Sequence, residues 1–270
     1  MTECVRGRCG SRSDLRRGFA LLVLACAVLL GVGSVRAQKQ ASARDPLSGL
    51  SPAAHRAVAQ LSALNSIAAG DWKFHVGDVA HGEAPELDDS SWQTVTGNSH
   101  APTEAVWYRR WIEVPKTLNG YDLSGARIWF QFEAYANGPV PEIIYFNGRR
   151  VAMGDDLEPI VLFDQAQPGE RVLVAVKLLH TVDQKTFARA VVSIEFNAAR
   201  PNPNDLLQEI LSANALLPSL GLSSTAVRQG IEAPSAAVDL QALEQAQQQP
   251  FDASLVRAQA ERNSQIRFHH

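Results

Sequence analysis

The sequence between Asp71 and Asn197 is a succession of short strand-like segments with no helical pattern between them. Apolar and polar residues alternate in most of these segments, as in strands with one buried face. Gly, Pro, Asn and Asp separate them, and Asn147-Gly148 is a strong signal for a two-residue hairpin in which Gly148 takes a positive φ. The eight predicted strands are Trp72–Val76, Trp107–Pro115, Arg127–Glu133, Glu142–Phe146, Arg149–Ala152, Ile160–Phe163, Val172–Leu179 and Val192–Phe196. This pattern predicts a mainly β fold, an antiparallel jelly-roll β-sandwich over residues 70–197 with helices on either side.

The alternation also predicts which strand faces point into the core. The segment Val172–Leu179 is apolar almost throughout, which is typical of a strand covered on both faces. Arg110 lies on the inward side of its segment, whereas Arg109 is expected on the opposite face. A buried Arg110 would need a carboxylate or carbonyl oxygens, and Asp164 or Glu142 could supply the carboxylate. The residues expected to share the inward faces are Tyr108, Ile112, Val114, Ile128, Phe130 and Phe132.

The N-terminal residues have the features of an export signal. Five arginines precede Gly18–Val35, a run of eighteen residues without a charge, and the small residues Val35 and Ala37 fit a signal peptidase site. We therefore predict a signal peptide over residues 1–37, cleavage after Ala37, and a periplasmic or secreted protein. An uncleaved membrane anchor is the alternative, because such an apolar run can just span a bilayer.

The charge balance and the cysteines exclude several classes of partner and chemistry. The whole chain has 25 Lys and Arg against 28 Asp and Glu, a net charge of −3. Removing residues 1–37 takes away six arginines and two acids and leaves a net charge of −7, which disfavours nucleic acid as a partner. No second long apolar run follows, so no membrane contact is expected after cleavage. The exported chain would also lack disulfides and thiol chemistry, because all three cysteines are removed with the signal: Cys4, Cys9 and Cys26.

A linker and a helix are predicted before the sandwich. Residues 38–50 are mostly polar or small and are interpreted as the linker. Residues 51–69 are predicted to be helical, with Ser51 as N-cap and Pro52 in the first turn. Gly70 is expected to end this helix. Its apolar stripe would consist of Ala57, Leu61, Leu64 and Ile67.

A helical connector is predicted after the sandwich, over residues 203–270. Asn204 is expected to cap its first helix. The connector has few aromatic residues, so its helices should need another surface to pack on. We expect that surface to belong to a catalytic domain, and Leu206, Ile210 and Leu217 to form an exposed apolar patch in this chain alone. The predicted helices are Asp205–Leu217, Pro234–Gln249 and Phe251–Arg262.

The tryptophans of the sandwich region have two possible roles. They can fill the core between two sheets, or they can present a flat ring on which a sugar stacks. At least one of Trp107, Trp111 and Trp129 is predicted to lie opposite the buried face of its strand. The five tryptophans are Trp72, Trp92, Trp107, Trp111 and Trp129.

The acidic residues do not predict a catalytic pair. Asp88 and Asp89 are adjacent, so on a strand their side chains point apart, whereas glycosidase carboxylates face each other across roughly 5–9 Å. We interpret these two residues, with the serines that follow them, as a turn with a cap. Asp155 and Asp156, followed by Glu158, could form part of a calcium loop or could be solvated turn acids.

The histidines do not have the spacing of a metal site. The sequence contains no HExxH-type motif, no nucleophile elbow and no phosphate-binding loop. We therefore assign no catalytic, cofactor-binding or metal-binding residue, and we interpret the last two histidines as an uninformative tail. The seven are His55, His75, His81, His100, His180, His269 and His270.

Five segments of the sandwich region carry a family resemblance. They are Leu87–Trp92, Trp107–Pro115, Ile144–Gly148, Phe163-Asp164 and Gly169–Val176. Together they resemble the sugar-binding, galactose-binding-like jelly-roll domain of family 2 β-galactosidase-type glycosidases. The helical region that follows is similar to the connector of bacterial glycoside hydrolase family 38 α-mannosidases, which joins an N-terminal β-domain to the catalytic domain.

The resemblance implies that a full-length relative is a zinc-dependent retaining α-mannosidase, with a His-x-His-type metal motif and an Asp nucleophile. This sequence ends at His270, about where the first metal motif would begin, and none of its residues matches a catalytic or metal position. The chain is therefore expected to be an N-terminal accessory region without zinc of its own, inactive alone, whose connector packs on a catalytic domain. Carbohydrate is a possible ligand, and the residues that would bind it are not assigned.

Two other functions are compatible with the sequence. A stand-alone carbohydrate-binding protein of the cell envelope would be favoured by an exposed aromatic strip on the sandwich. An envelope protein held by an uncleaved N-terminal helix would use the sandwich as an interaction module.

Overall fold

The computed structural model of the protein describes residues 50–68, 70–216 and 225–267, all of which belong to one compact unit over residues 46–270. The predicted signal peptide and most of the predicted linker lie outside the described residues. Leu217 and the last two histidines do so as well. Leu50, the last linker residue, is buried in the core.

Eleven strands among the described residues form two antiparallel sheets, which confirms the mainly β sandwich. They are β1 (Ser66–Ile67), β2 (Trp72–Val76), β3 (Gln93–Val95), β4 (Ser99–Ala101), β5 (Val106–Glu113), β6 (Arg127–Tyr135), β7 (Glu142–Phe146), β8 (Arg149–Gly154), β9 (Ile160–Phe163), β10 (Arg171–Leu178) and β11 (Lys185–Glu195). The six-stranded sheet has the order β3-β2-β5-β10-β7-β8. The five-stranded sheet has the order β1-β11-β6-β9, and β4 also pairs with β11.

The core lies between the two sheets, where the alternating apolar residues of the strands meet. The six residues predicted to face inward on β5, on β6 and just after β5 are all buried. Strand β10 is covered on both faces, as predicted, because the outward Leu173 and Ala175 are as buried as the inward Val174 and Val176. Eight of the strands overlap the predicted ones, but β11 begins at Lys185 rather than at the predicted Val192. The two- or three-residue strands β1, β3 and β4 are too short to show a period in the sequence.

The hairpin between β7 and β8 has the predicted turn. Asn147 and Gly148 have φ values of 47° and 81°, as a type I′ turn requires, so the expected positive φ of Gly148 is confirmed. Asn147 also fixes the turn to β10, because its side-chain oxygen accepts the backbone N–H of Leu173 at 2.8 Å.

The predicted N-terminal helix starts as expected but ends early. It spans Pro52–Ser62 (α1), and the Ser51 hydroxyl accepts the N–H of Ala54 as the N-cap. Two turns then close at Leu64 and the next residue, and the chain enters β1. The predicted extent to residue 69 was therefore wrong. Ile67 does pack against the core, but from a strand paired with β11.

The C-terminal region is helical, with boundaries that differ from the predicted ones. Asn202, rather than Asn204, accepts the first free backbone N–H, and Pro203 occupies the first helical position, where its missing N–H costs nothing. Pro234 lies inside a helix instead of starting one. The helices are α2 (Pro203–Leu216), α3 (Thr225–Ala237), α4 (Leu240–Glu244) and α5 (Gln248–Arg267).

These helices pack on the chain's own sandwich and on α1. Leu206 and Ile210 of α2 are buried in the same core as the sheets, so the predicted exposed apolar patch was wrong at both positions. The contact runs through the connection between β5 and β6. There, the ring of Tyr121 meets Phe251 of α5 edge-on. Arg200, which follows β11, donates to the carbonyl of Asp122 in this connection and forms a two-bonded ion pair with Asp252 of α5. The helical layer therefore closes one end of the sandwich.

Candidate functional site

The outer face of the six-stranded sheet is crossed by residues 77–92, which we call the strap. Its anchor is Arg109 of β5, whose side chain is only 1% exposed although it points away from the core. The Arg109 guanidinium donates to the Asp89 carboxylate at 2.8 Å and to the carbonyl oxygens of Gly82, Ala84 and Leu87. One buried cation therefore holds four points of the strap.

Arg109 is thus the buried arginine bound by a carboxylate and carbonyl oxygens, a role that was considered for Arg110. Arg110 does face inward, but it is only half-buried and donates to the carbonyl of Ala68. Neither of its suggested partners serves it, because Asp164 is paired with Arg127 and Glu142 lies at the other end of the sandwich. The alternation of β5 gave the correct faces and could not reveal that the strap covers the outer one.

The five tryptophans divide between core, covered surface and open surface. Trp72 is buried between the sheets. Trp107 points outward and is buried beneath the strap, where Gly82 lies so close that an added Cβ would approach the indole to 2.6 Å. Trp92 and Trp129 are half-buried, and the indole N–H of Trp129 donates to Glu195 at 2.9 Å.

Trp111 is the most exposed tryptophan of the described residues, with 40% of its surface accessible. It lies on the outer face of β5 beyond the strap, and the Arg171 guanidinium is 4.2 Å from its ring centroid. The prediction that at least one of Trp107, Trp111 and Trp129 faces away from the core is therefore confirmed. Tyr135, the other well-exposed aromatic residue described, belongs to the five-stranded sheet, so these two rings do not form a strip.

The end of the sandwich opposite the helical layer is formed by four connections that we call the distal loops. They are residues 102–105, 136–141, 155–159 and 179–184. Lys185 joins two of them from a fully buried position. Its ammonium donates to the carbonyls of Thr103, Glu104 and Leu179 and to the Thr181 hydroxyl, at 2.7–3.3 Å. Burial lowers the pKa of Lys185, and Glu104 opposes that effect.

Glu142 is the buried carboxylate of the distal end, with 3% of its surface exposed. The pKa of Glu142 is raised to about 7. Burial is the largest cause of the increase, a hydrogen bond from the backbone N–H of Leu157 opposes it, and the negative charges of Asp155 and Asp156 add to it. The Asp155 carboxylate accepts the N–H of Val140 at 2.8 Å, which ties the second and third distal loops together. Asp155, Asp156 and the following Glu158 are exposed, as in the solvated-turn interpretation.

Most carboxylates with a described partner hold the fold together. The predicted turn at Asp88-Asp89 is present: Asp88 accepts the N–H of Ser90, and Asp89 binds Arg109. Hydrogen bonds from the backbone and side chain of Ser90 lower the pKa of Asp88. Further ion pairs of the sheets and loops are Arg127 with Asp164 and Glu195, Arg189 with Glu133, and Lys177 with Asp78.

The histidines do not fit the zinc that the resemblance implies for a full-length relative. His55 lies on α1, His75 on β2, His100 on β4, and His81 and His180 in two separate loops. In the part of the chain that the structure describes, no three His, Cys, Asp or Glu side chains form a group able to hold a metal ion. We derive no chemical step through zinc in this chain.

Comparisons with other proteins do not assign this chain to a family. No protein-family model and no curated protein sequence matches this chain. A family 2 glycosyl hydrolase from Bacteroides cellulosilyticus is 20% identical over 49% of this chain and 20% of its own length, with a TM-score of 0.38. A β-glycosidase from Bacteroides vulgatus is 16% identical over 49% of this chain and 20% of its own length, with a TM-score of 0.36. Faecalibacterium prausnitzii β-glucuronidase is 14% identical over 48% of this chain and 31% of its own length, with a TM-score of 0.34.

The matched region is thus less than a third of each of these three enzymes. Matches of this identity and extent do not assign a family or a substrate, and none of the three is described as an α-mannosidase. Within residues 50–68, 70–216 and 225–267, every helix is too short or too polar to cross a bilayer.

Proposed function

We propose that this chain is a non-catalytic accessory region of a secreted glycoside hydrolase, of the kind that precedes the catalytic domain in α-mannosidases. The sequence resemblance of the sandwich and the connector supports this proposal, and the jelly-roll sandwich is compatible with it. Its partner would be a glycosidase catalytic domain, and zinc would belong to that domain.

The observation that carries the proposal is the use of the carboxylates. A retaining glycosidase needs a nucleophile and an acid that face each other across an open sugar site. Here Asp89 and Asp164 neutralise arginines, Asp155 binds a backbone N–H, and Glu142 is closed off from solvent. Carboxylates that are committed to the fold in this way favour a supporting role over a catalytic one.

The test is an activity assay of the purified chain. We expect no hydrolysis of aryl α-mannosides or aryl β-galactosides, with or without added zinc, under conditions in which a known α-mannosidase is active. Zinc-dependent turnover that co-purifies with the folded chain would overturn the proposal. So would turnover without metal that Glu142→Gln abolishes.

Stand-alone carbohydrate binding is the second candidate, and Trp111 is the observation that favours it. An exposed indole beside a guanidinium can stack on a sugar ring and hydrogen-bond its hydroxyls. Affinity electrophoresis in polysaccharide gels separates the two candidates. If the unchanged protein and Tyr135→Ala are retarded and Trp111→Ala is not, the carbohydrate-binding function is favoured. If the unchanged protein and both variants migrate without retardation, the accessory role is supported.

Export is part of the proposal and has its own test. The basic start, the uncharged run and the small residues before Gln38 all favour cleavage after Ala37. N-terminal sequencing of the protein recovered from the periplasm or medium should therefore begin at Gln38. A protein that begins at Met1 and stays with the membrane fraction would support the anchored alternative.

A further inference from the structure

Three residues next to one phenylalanine of the core each carry a buried polar atom that has no hydrogen-bond partner among the described residues. These atoms are the indole nitrogen Nε1 of Trp72, the hydroxyl Oη of Tyr108 and the hydroxyl Oγ of Ser99. Buried polar atoms in native proteins are bonded in the great majority of cases, so three together need a physical explanation.

The three residues converge on Phe187 of β11. The ring centroids of Trp72 and Tyr108 lie 6.2 and 5.0 Å from that of Phe187. Ser99 is the direct cross-strand partner of Phe187 in the pairing of β4 with β11, so the two side chains emerge on the same face. Trp72 and Tyr108 come from the opposite sheet, and both also contact Phe132. The three residues therefore border Phe187 from both sheets.

The backbone beside this region is irregular. The pairing of β11 with β6 shifts register between Phe187 and Arg189, and the carbonyl of the intervening Ala188 turns away to accept the N–H of Asn98 at 2.9 Å. A bulge of this kind disrupts the hydrogen-bond ladder locally and bends the strand that carries Phe187.

We propose that the two sheets enclose a buried hydration site at Phe187, in which an ordered water molecule is held by Trp72 Nε1, Tyr108 Oη and Ser99 Oγ. The donor set fits water: the indole can only donate, and the two hydroxyls can each donate and accept. Buried waters typically make about three hydrogen bonds to groups that are otherwise unsatisfied. Burial raises the pKa of the Tyr108 phenol, so the hydroxyl remains a neutral donor at physiological pH.

The test is the sign of the stability change when one hydroxyl is removed from the full chain. If Tyr108 Oη binds a water, Tyr108→Phe should lower the urea unfolding midpoint by about 0.3–0.5 M, since a hydrogen bond is lost. If the hydroxyl binds nothing, the same change removes an unsatisfied buried group and raises the midpoint. Tyr135→Phe, at an exposed position, is the matched control and should leave the midpoint unchanged.

A second variant tests whether the groups share one molecule. Ser99→Ala should also lower the midpoint, and the Tyr108→Phe/Ser99→Ala double variant should lose less than the sum of the two shifts, because either change already releases the water. Oxygen-17 relaxation dispersion should then count one fewer long-lived water in the double variant than in the unchanged protein. A midpoint raised by Tyr108→Phe, additive shifts or an equal water count would overturn the proposal.

Discussion

Replacing Arg109 by methionine is expected to destabilise the protein by about 3–5 kcal/mol, because it removes one partner of a buried ion pair. Methionine keeps much of the packing volume, so the loss would come from polar groups left without a donor. These groups are the Asp89 carboxylate and the three strap carbonyls that the guanidinium now binds. Urea unfolding measures the loss, and limited proteolysis should show new cleavage within the strap.

The control is a surface ion pair of similar geometry. Arg189 binds both oxygens of Glu133 at 2.7 and 2.8 Å, but its side chain is largely exposed. Arg189→Met should therefore cost at most about 1 kcal/mol and leave the strap uncut. Equal losses for the two variants would show that the strap does not depend on Arg109. Asp89→Asn in the Arg109→Met background should recover part of the loss, because it removes the uncompensated charge.

The position of Arg109 illustrates what a strand pattern can and cannot predict. A period of two assigns side chains to faces, and it placed Tyr108 and Ile112 inward correctly. It carries no information about a loop that returns across the outer face. The buried state of Arg109 and Trp107 results from the strap, whose course depends on contacts between residues that are distant in the chain. The strap sequence contains one weak indication of this pairing, because the Asp89 carboxylate lies in a polar turn and can pair with an arginine on the outer face of the sheet.

The rest of the fold follows the same division. Elements set by local chemistry were predictable: the Ser51 cap, the turn at Asn147-Gly148 and the long alternating strands. Elements set by tertiary contacts were not. Ile67 continues a helical stripe in the sequence but pairs with β11 as a strand, and Pro234 resembles a helix start but lies within α3, next to the buried Ser235. No sequence pattern distinguished Glu142 from other strand carboxylates, because its burial depends on the distal loops that close over it.

Glutamate 142 leads to the other large expected effect, which depends on pH. Its pKa is about 7 in the folded protein, against an ordinary value of 4.5. Below about pH 4.5 the group is protonated in both the folded and the unfolded state, so it costs nothing. As the pH rises from there through about 7, the unfolded state ionises first and stability falls. Above that range the folded state is disfavoured by about 3 kcal/mol, from about 1.4 kcal/mol per unit of pKa difference.

Glu142→Gln should remove this dependence, because glutamine is neutral and keeps an oxygen that can accept the N–H of Leu157. The variant should be more stable than the unchanged protein by up to about 3 kcal/mol near pH 8.5, and similar to it near pH 4.5. Glu158→Gln is the matched control, since Glu158 is an exposed carboxylate in the distal loop 155–159, at the same end of the sandwich. It should leave the pH profile of the urea midpoint unchanged.

The outcome also distinguishes two interpretations of the distal end. If Glu142 stays protonated within a closed end of the sandwich, the gain from Glu142→Gln must grow with pH over the range in which the acid would ionise. A gain that is the same at all pH values would mean that Glu142 does not change protonation on unfolding and that only packing has improved. If Glu142→Gln were instead less stable than the unchanged protein at high pH, the ionised carboxylate would be stabilised in the fold, by the N–H of Leu157 or by an unidentified cation. Asp155 and Asp156 are the only charged groups that act on the pKa of Glu142 in the described structure, and both raise it. A gain that rises with pH is therefore the expected result.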